Sequence, residues 1–259
     1  VIIPTRDRAD LLAVAMAGLL DATDYPALEV LIVDNDSREP RTRDLFARLS
    51  ADARVRIVSV PGPFNFSDLS NRGAAAARGG LLLFLNNDIE VLEPGWLREM
   101  VSIALTPDIG AVGAKLLYPD RTLQHGGIVL GIGGVAGHSH PGLSEDDPGY
   151  FARMVLTQEV SAVTGACLLL RATVFSECGG FDAEDLAVAF NDVDLCLKLR
   201  ARGYRIVWTP HARLIHHESK SRGAEDTPEK LARFEREVRV MQDRWGPRLR
   251  ADPYYNPNF

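Results

Sequence analysis

Through residues 1–115, short unbroken apolar runs alternate with stretches of helical periodicity, and that alternation leaves few folds open. "VIIP" (1–4) is extended, and Asp10 to Thr23 carries apolar residues at helical spacing. "LEVLIVD" (28–34) is a continuous apolar run ending on a carboxylate, Leu45 and Leu49 fall in a helical segment, and "VRIVSV" (55–60) is a further strand. "SDLSNRGAAAARG" (67–79) reads as a helix, with Ser at an N-cap position, an alanine-rich body and a closing Gly. "LLLFLNND" (81–88) is the fourth strand. A strand with one wet face alternates polar and apolar residues, whereas these runs do not, so both faces are covered and the sheet is parallel. The fold class is therefore α/β, with a mostly parallel, doubly wound sheet. Ligands of such sheets bind beyond the carboxyl ends of the strands. Three strands end there in polar residues: Pro4-Thr5-Arg6, Asp34-Asn35-Asp36-Ser37 and Asn86-Asn87-Asp88.

The second half is less regular. "IGAVGAKLLY" (109–118) and "GGIVLGIGGVAGHSHPG" (126–142) read as strands joined by glycine-rich turns, "CLLLR" (167–171) as a strand, Asp192 to Arg202 as a helix and "YRIVWT" (204–209) as a strand. Thr227 to Trp245 is a charged helix whose Leu231, Phe234, Val238 and Met241 form a packing seam along one face. Residues 138–149 are the candidate mobile loop. With 46% hydrophobic residues in 259, the chain can bury one large core, and it reads as a single domain, 1–259. It opens on Val1 inside a strand pattern, so a domain excised from a longer protein is expected.

Composition excludes some functions. A net charge of -6 argues against a nucleic-acid partner, whose electrostatic footprint is basic. Cys167, Cys178 and Cys196 share no CxxC spacing, and two of them sit in apolar runs, so buried thiols in a reducing cytoplasm are expected. No apolar run approaches the ~18 residues that span a bilayer, and there is no signal peptide. "GIGGVA" (131–136) satisfies a dinucleotide-binding pattern, but that motif must open a helix, and the "GHSHPG" that follows cannot continue one.

In an extended segment residues i and i+2 share a face. Asn86 and Asp88 can thus offer two oxygens to one site, with Asn87 turned away, and oxygen ligands suit hard cations such as Mg²⁺ or Mn²⁺. The same residue types also favour a plain turn, and the residues alone leave both open.

The chain resembles the inverting family-2 glycosyltransferases of the GT-A fold, of the bacterial rhamnosyltransferase or surface-polysaccharide type. Seven blocks carry the resemblance in order: "VIIPTRDR", "VDNDS", "FSDLSNRGAAAARG", "FLNNDIEV", "TGACLLLR", "GGFDAEDLAVAFNDVDLCLKLRARGYRIVWTP" and "HHESKSRG". It implies a mostly parallel sheet with a smaller mixed acceptor-side region, residues 1–115 forming the nucleotide-sugar half and 116–259 the acceptor half. The implied reaction moves a sugar from a nucleotide diphosphate donor to the hydroxyl of a glycan, lipid-linked or other acceptor, with inversion and a divalent cation, Mg²⁺ or Mn²⁺. The setting implied is polysaccharide or glycoconjugate synthesis in the cytoplasm, with the inner face of the membrane as the alternative place.

Carried over residue by residue, Thr5 and Arg6 would lie against the nucleoside and Asp34 would bond the base or ribose. Asn71 and Arg72 would sit near the nucleotide or its phosphates, and Pro4, Ser37, Asn86 and Asn87 join the nucleotide-sugar side. Asp88 is the metal ligand, with His216 or else His217 as a further one. Asp192 is the base that takes the acceptor's proton, with Gly165 and Asn191 beside it. The chain departs from the family pattern at Asn86, often Asp, and at Asn191, usually Glu. Without the resemblance, Asn191 and Asp192 read as a helix cap and a dipole partner, and Asp194 stays structural on the other side of the helix. Two other readings follow: an inactive sugar-nucleotide or glycan-binding module, and a nucleotidyltransferase. The latter wants a glycine-rich loop that "PTRDRADLL" lacks.

Overall fold

The computed structural model describes residues 1–217 and 227–256. The first half alternates as its periodicity requires: β1 (Ile2–Thr5), α1 (Ala9–Ala17) running into a π-helical turn (Gly18–Ala22), β2 (Val30–Asp34), α2 (Pro40–Leu49), β3 (Val55–Ser59), α3 (Phe66–Ala76) and β4 (Leu81–Leu85). Then come β5 (Ile89–Val91), α4 (Trp96–Ala104), β6 (Ile109–Leu117), β7 (Leu123–His125), β8 (Ile128–Leu130), β9 (Ala136–His138), β10 (Gln158–Glu159), β11 (Cys167–Arg171), α5 (Ala172–Glu177), α6 (Asn191–Ala201), β12 (Arg205–His216) and α7 (Pro228–Leu249).

The main sheet runs β10-β12-β6-β11-β4-β1-β2-β3, with β5 beside β12 and β7 beside β6, while β8 and β9 form a separate hairpin. Strands β3, β2, β1 and β4 are parallel, as the unbroken runs require. Strand β11 enters antiparallel between β4 and β6, so the sheet as a whole is mixed. Successive residues of the front strands feed opposite cores: Ile2, Leu31, Val33 and Phe84 pack on one side, Ile3, Ile32, Leu83 and Leu85 on the other. That is the physical origin of the runs without alternation.

Helix α3 lies directly on this sheet. A side chain at Gly73 would put its Cβ 2.4 Å from Ile2 Cγ2 and 2.9 Å from Val33 Cγ2, which explains a glycine within an otherwise alanine-rich helix. The "GIGGVA" segment forms the turn of the β8–β9 hairpin, with Gly131 at φ 91°, and no helix follows it. The three cysteines are buried and free. Burial raises the Cys167 thiol pKa far above its ordinary value and pushes that of Cys196 up to about 12.

Two expectations change. The seam on α7 is buried only toward its C-terminal half, at Met241, while Leu231 and Phe234 stand 48% and 39% exposed. The helix also buries the carboxylate of Glu237, which no hydrophobic pattern reveals. The 138–149 segment is pinned by Leu123 N–H to Leu143 O, Gly142 N–H to Leu123 O and Lys115 Nζ to Glu145 O, at 2.6, 2.7 and 2.6 Å.

Candidate active site

The carboxyl ends of β1, β2 and β4 meet at one edge of the sheet. Asn87 Nδ2 donates to Thr5 Oγ1 at 2.8 Å, with both residues buried, so the Asn87 amide fastens the end of β4 to the end of β1. Asp7 Oδ1 accepts from the Arg38 and Glu39 amides at 2.7 and 2.8 Å, and Ser37 Oγ accepts from Asp7 N–H at 2.8 Å. Asp34 Oδ1 accepts from Ser37 N–H at 3.0 Å. These bonds hold the loops after β1 and β2 as one shelf, from which Arg6 stands out exposed and Asp34 half-exposed. Pro4 is buried at the end of β1.

Above the shelf stands His216, carried in by β12. Asn86 Nδ2 lies 3.1 Å from His216 Nε2, and Asp88 Oδ1 lies 3.1 Å from the same nitrogen. On the far side of the ring, His216 Nδ1 meets Gln124 Oε1 at 2.7 Å. An amide oxygen only accepts, so the ring carries a proton on Nδ1, and in the neutral ring the Nε2 lone pair turns toward Asn86 and Asp88. A lone pair facing a carboxylate oxygen calls for positive charge between them, a proton or a metal ion.

A divalent cation fits this corner. Ligand bonds near 2.1 Å in an octahedral shell put neighbouring ligand atoms roughly 3.0 Å apart, which matches the separation of Nε2 and Oδ1. Imidazole plus carboxylate suits Mn²⁺, and the Asn86 amide has an oxygen to add by turning over. The described residues contain no group of three His, Cys, Asp or Glu side chains around one point, so the protein supplies a two-residue corner with an amide beside it. His217 is elsewhere: its Nε2 contacts Glu90 Oε2 at 3.0 Å, and its backbone N–H donates to Asp88 O at 2.9 Å. The neighbouring histidine pair therefore divides its work, and His216 is the one at Asp88. The rest of the "HHESKSRG" block, from Glu218 on, lies outside the described residues.

The candidate base lies one strand away. Asp192 is at the start of α6, with Oδ2 accepting from Gly165 N–H and Oδ1 from Val193 N–H, both at 2.8 Å. Both oxygens thus have a fixed direction, and the side chain stays half-exposed. Gly165 precedes β11, and the next residue, Ala166, accepts at its carbonyl from the Asn86 backbone N–H at 3.0 Å. The junction of β4 and β11 thus links the turn that carries Asp88 to the two residues, Gly165 and Ala166, of which the first directs the Asp192 carboxylate on α6. Asn191 is buried, and its Nδ2 donates to Val188 O at 2.9 Å, closing the turn before the helix.

Helix α7 holds that turn from behind. Glu237, 2% exposed, accepts from Val188 and Ala189 N–H at 2.9 and 3.0 Å. Asp194 is fully buried and bonds Arg244 Nη1 and Trp245 Nε1, each at 2.9 Å, with Lys198 Nζ at 3.1 Å. Phe190, between the two anchors, sits at φ 58°, a left-handed conformation costly for a large side chain and sustained only by over-determined surroundings.

Two expected donor residues occupy other positions. Asn71 spends both ends of its amide on Phe181, with Nδ2 to O at 2.8 Å and N–H to Oδ1 at 3.0 Å, so it braces α3 against the loop before α6. Arg72 is exposed and pairs with Asp68 one turn earlier, Nε to Oδ2 at 2.8 Å. Sequence reading missed Gln124, Glu237 and His125. His125 is fully buried, its Nε2 accepts from Thr164 N–H at 3.4 Å, and its Nδ1 lies 2.8 Å from His138 Nδ1. Burial, with His138 and His216 nearby, holds its pKa well below the usual histidine range, so the ring is neutral. The signal was present in "TLQHGG", a polar pair set among apolar residues.

With this geometry in place, the comparisons decide the family. The sequence model of Glycosyl transferase family 2 matches residues 1–179. The chain belongs to that family. A Sinorhizobium fredii protein, y4gI, is 50% identical over 260 residues, covering all of this chain and 29% of that protein. The O-antigen biosynthesis protein RfbC of Myxococcus xanthus is 44% identical over 260 residues, again all of this chain and 20% of that protein. The chain thus spans less than a third of either relative. A mannosyltransferase from Pyrobaculum calidifontis, solved with GDP-Man and Mn²⁺, superposes at a TM-score of 0.62 with 17% identity, over 92% of this chain and 63% of that one. The glycosyltransferase domain therefore has the GT-A architecture, with a mixed sheet and the strand-end site just described.

Proposed function

We propose that this domain transfers a sugar from a nucleoside diphosphate donor to an acceptor hydroxyl with inversion, with Asp192 as the base and Asp88 and His216 as the holders of a divalent cation. The observation that carries the proposal is the pairing of Asn86 N–H with Ala166 O beside Gly165 N–H with Asp192 Oδ2, at 3.0 and 2.8 Å. The first bond ties the Asn86–Asp88 turn to the residue before β11 and the second directs the Asp192 carboxylate from the neighbouring residue, which supports a cation and a base acting on one carbon. The cation supplies charge against the diphosphate as it leaves. The acceptor oxygen bonds to the anomeric carbon opposite the leaving oxygen, its proton passes to Asp192, and the carbon–oxygen bond to the diphosphate breaks with its electron pair. The shelf of Thr5, Arg6, Asp34 and Ser37 is the place for the nucleoside, with Arg6 exposed upon it.

On this reading residues 1–115 bind the donor and 116–259 the acceptor, within a larger protein of surface-polysaccharide assembly. Three reduced, buried thiols suit the cytoplasm, and among the described residues no helix is long and apolar enough to cross a membrane. The test is a thermal-shift screen of nucleoside diphosphates with and without Mn²⁺, since a ligand of the folded state stabilises it by mass action. One nucleotide should stand out, and only with metal. Equal shifts in Mn²⁺ and in EDTA would remove the cation corner from the proposal. Binding without turnover of any sugar form of that nucleotide would favour an inactive binding module.

A further inference from the structure

Away from the strand ends, the segment between His140 and Gln158 and the chain at Tyr255 enclose a cavity of about 510 Å³. Its volume falls in the range of small-ligand sites, roughly 300–1,000 Å³. Two features of its wall point to a ligand. Phe151 is 83% exposed, the most exposed large apolar side chain among the described residues, and it stands on strained backbone: Phe151 and Ala152 lie at φ 49° and 60° in succession. A chain gains nothing from straining two residues to hold a ring in water. Arg153 is fixed by Nη1 to Tyr254 O at 2.9 Å, yet its guanidinium forms no ion pair among the described residues. A cation without a carboxylate, beside the rings of Tyr150, Phe151 and Tyr255 and the amide of Gln158, suits a ligand with flat apolar faces and a rim of oxygens.

The cavity is also wired to the base. Its His140 follows Ser139, whose N–H donates to Gly127 O at 2.9 Å, and His138, whose ring meets His125 at 2.8 Å. His125 in turn accepts from Thr164 N–H, next to the Gly165 amide that directs Asp192. Three hydrogen bonds thus join the cavity wall to the carboxylate.

We propose that this cavity holds the part of the acceptor glycan remote from the reacting hydroxyl, with sugar faces against Tyr150, Phe151 and Tyr255 and hydroxyls on Arg153 and on the amide oxygen of Gln158, whose Nε2 donates to Arg153 O. This rests on the glycosyltransferase reading above and adds the place where the acceptor is held. The probe is a set of methyl glycosides (rhamnose, N-acetylglucosamine, mannose, galactose) in saturation-transfer NMR on the intact protein. At least one should receive saturation, and Phe151→Ala should cut that transfer at least fivefold. Because Phe151 is exposed, the variant should keep its melting temperature and its Mn²⁺-dependent nucleotide affinity. Gln158→Ala should weaken the same signal, and saturating nucleoside diphosphate should leave it in place. Transfer to no glycoside, transfer unchanged in Phe151→Ala, or displacement by the nucleotide would each overturn the subsite. All three leave nucleotide binding, and so the underlying function, separately measurable. A fall in melting temperature in Phe151→Ala with no glycoside bound would overturn it in favour of a seat for this protein's own chain.

Discussion

Replacing Gln124 with leucine should weaken the cation site without touching it. Gln124 Oε1 accepts from His216 Nδ1 at 2.7 Å, and the two residues are 3% and 8% exposed, so no water can take the place of the lost oxygen without rearrangement. Leucine keeps most of the volume but leaves Nδ1–H buried and unpaired, which costs about 1–3 kcal/mol. The ring has a cheap escape: the proton moves to Nε2, where it can donate to Asp88 Oδ1, already 3.1 Å away. That tautomer satisfies the metal-free protein and removes the lone pair a cation needs. The stability of the free protein should therefore hardly fall, while Mn²⁺ affinity drops. Loss of the partner that orients a metal-binding histidine typically costs 10- to 100-fold in affinity, or about 1.4–2.7 kcal/mol. Gln124→Glu retains an acceptor and should bind Mn²⁺ at least as well as the unmutated chain. Calorimetric titration of Mn²⁺ into the protein saturated with nucleoside diphosphate reads the affinity, and nitrogen-15 shifts of the His216 ring read the tautomer. A Gln124→Leu protein with Mn²⁺ affinity within twofold of the original would show that Gln124 does not set the ring, and the reasoning would fail.

Other perturbations separate chemistry from scaffold. Asp192→Asn keeps the size of the side chain, turns one of its two backbone-bonded acceptors into a donor and cannot take a proton, so sugar transfer should fall by ~10²–10⁴ at unchanged nucleotide affinity; full activity would remove Asp192 as the base. Asp194→Asn should instead lower stability, by about 3 kcal/mol in denaturant unfolding, because it removes the charge of a fully buried carboxylate that pairs with Arg244 and Lys198. Asn86→Asp adds a charged oxygen beside His216 Nε2, and titration should show Mn²⁺ affinity rising; a fall would mean that the amide is there to limit charge. Glu237→Gln turns one acceptor of the 188–189 amides into a donor, so kcat should drop by up to about 10² with the donor KM unchanged. Equal losses in kcat and thermal stability would make Glu237 a plain packing residue.

The parts of this molecule legible in the sequence are those set by a few neighbouring residues. Both faces of β1, β2 and β4 are covered, so their runs lack alternation and announce parallel strands, and the polar residues at their ends are local to each run. The antiparallel entry of β11 was not legible, because "CLLLR" has the same apolar character as its parallel neighbours and direction leaves no trace in composition. Amides were ambiguous for another reason. Asn71, Asn86 and Asn87 carry the same group, yet one braces a loop, one meets His216 and one ties two strands, and only distant partners decide which. Glu237 looked like one more charge on a charged helix, because the amides it satisfies lie 48 and 49 residues away.

The choice between His216 and His217 shows where local reading stops. Side chains alternate along a strand, so parity counted from a buried residue should tell which histidine faces inward. Ile206 and Trp208 belong to one core and Val207 to the other. Carried straight on, that count puts every even residue, His216 included, on the side of Trp208. But Thr209 pairs with Ala114 and Arg213 with Lys115, so β12 holds three extra residues against one step of β6. An odd insertion reverses the parity: Ala212 and Leu214, both even, lie in the core of Val207. His216 therefore enters on the face opposite Trp208, where Asn86, Asp88 and Gln124 meet it, and His217 turns to Glu90. The irregularity at 209–213 is what aims the imidazole, since without an odd number of extra residues the even positions of β12 would stay on the side of Trp208.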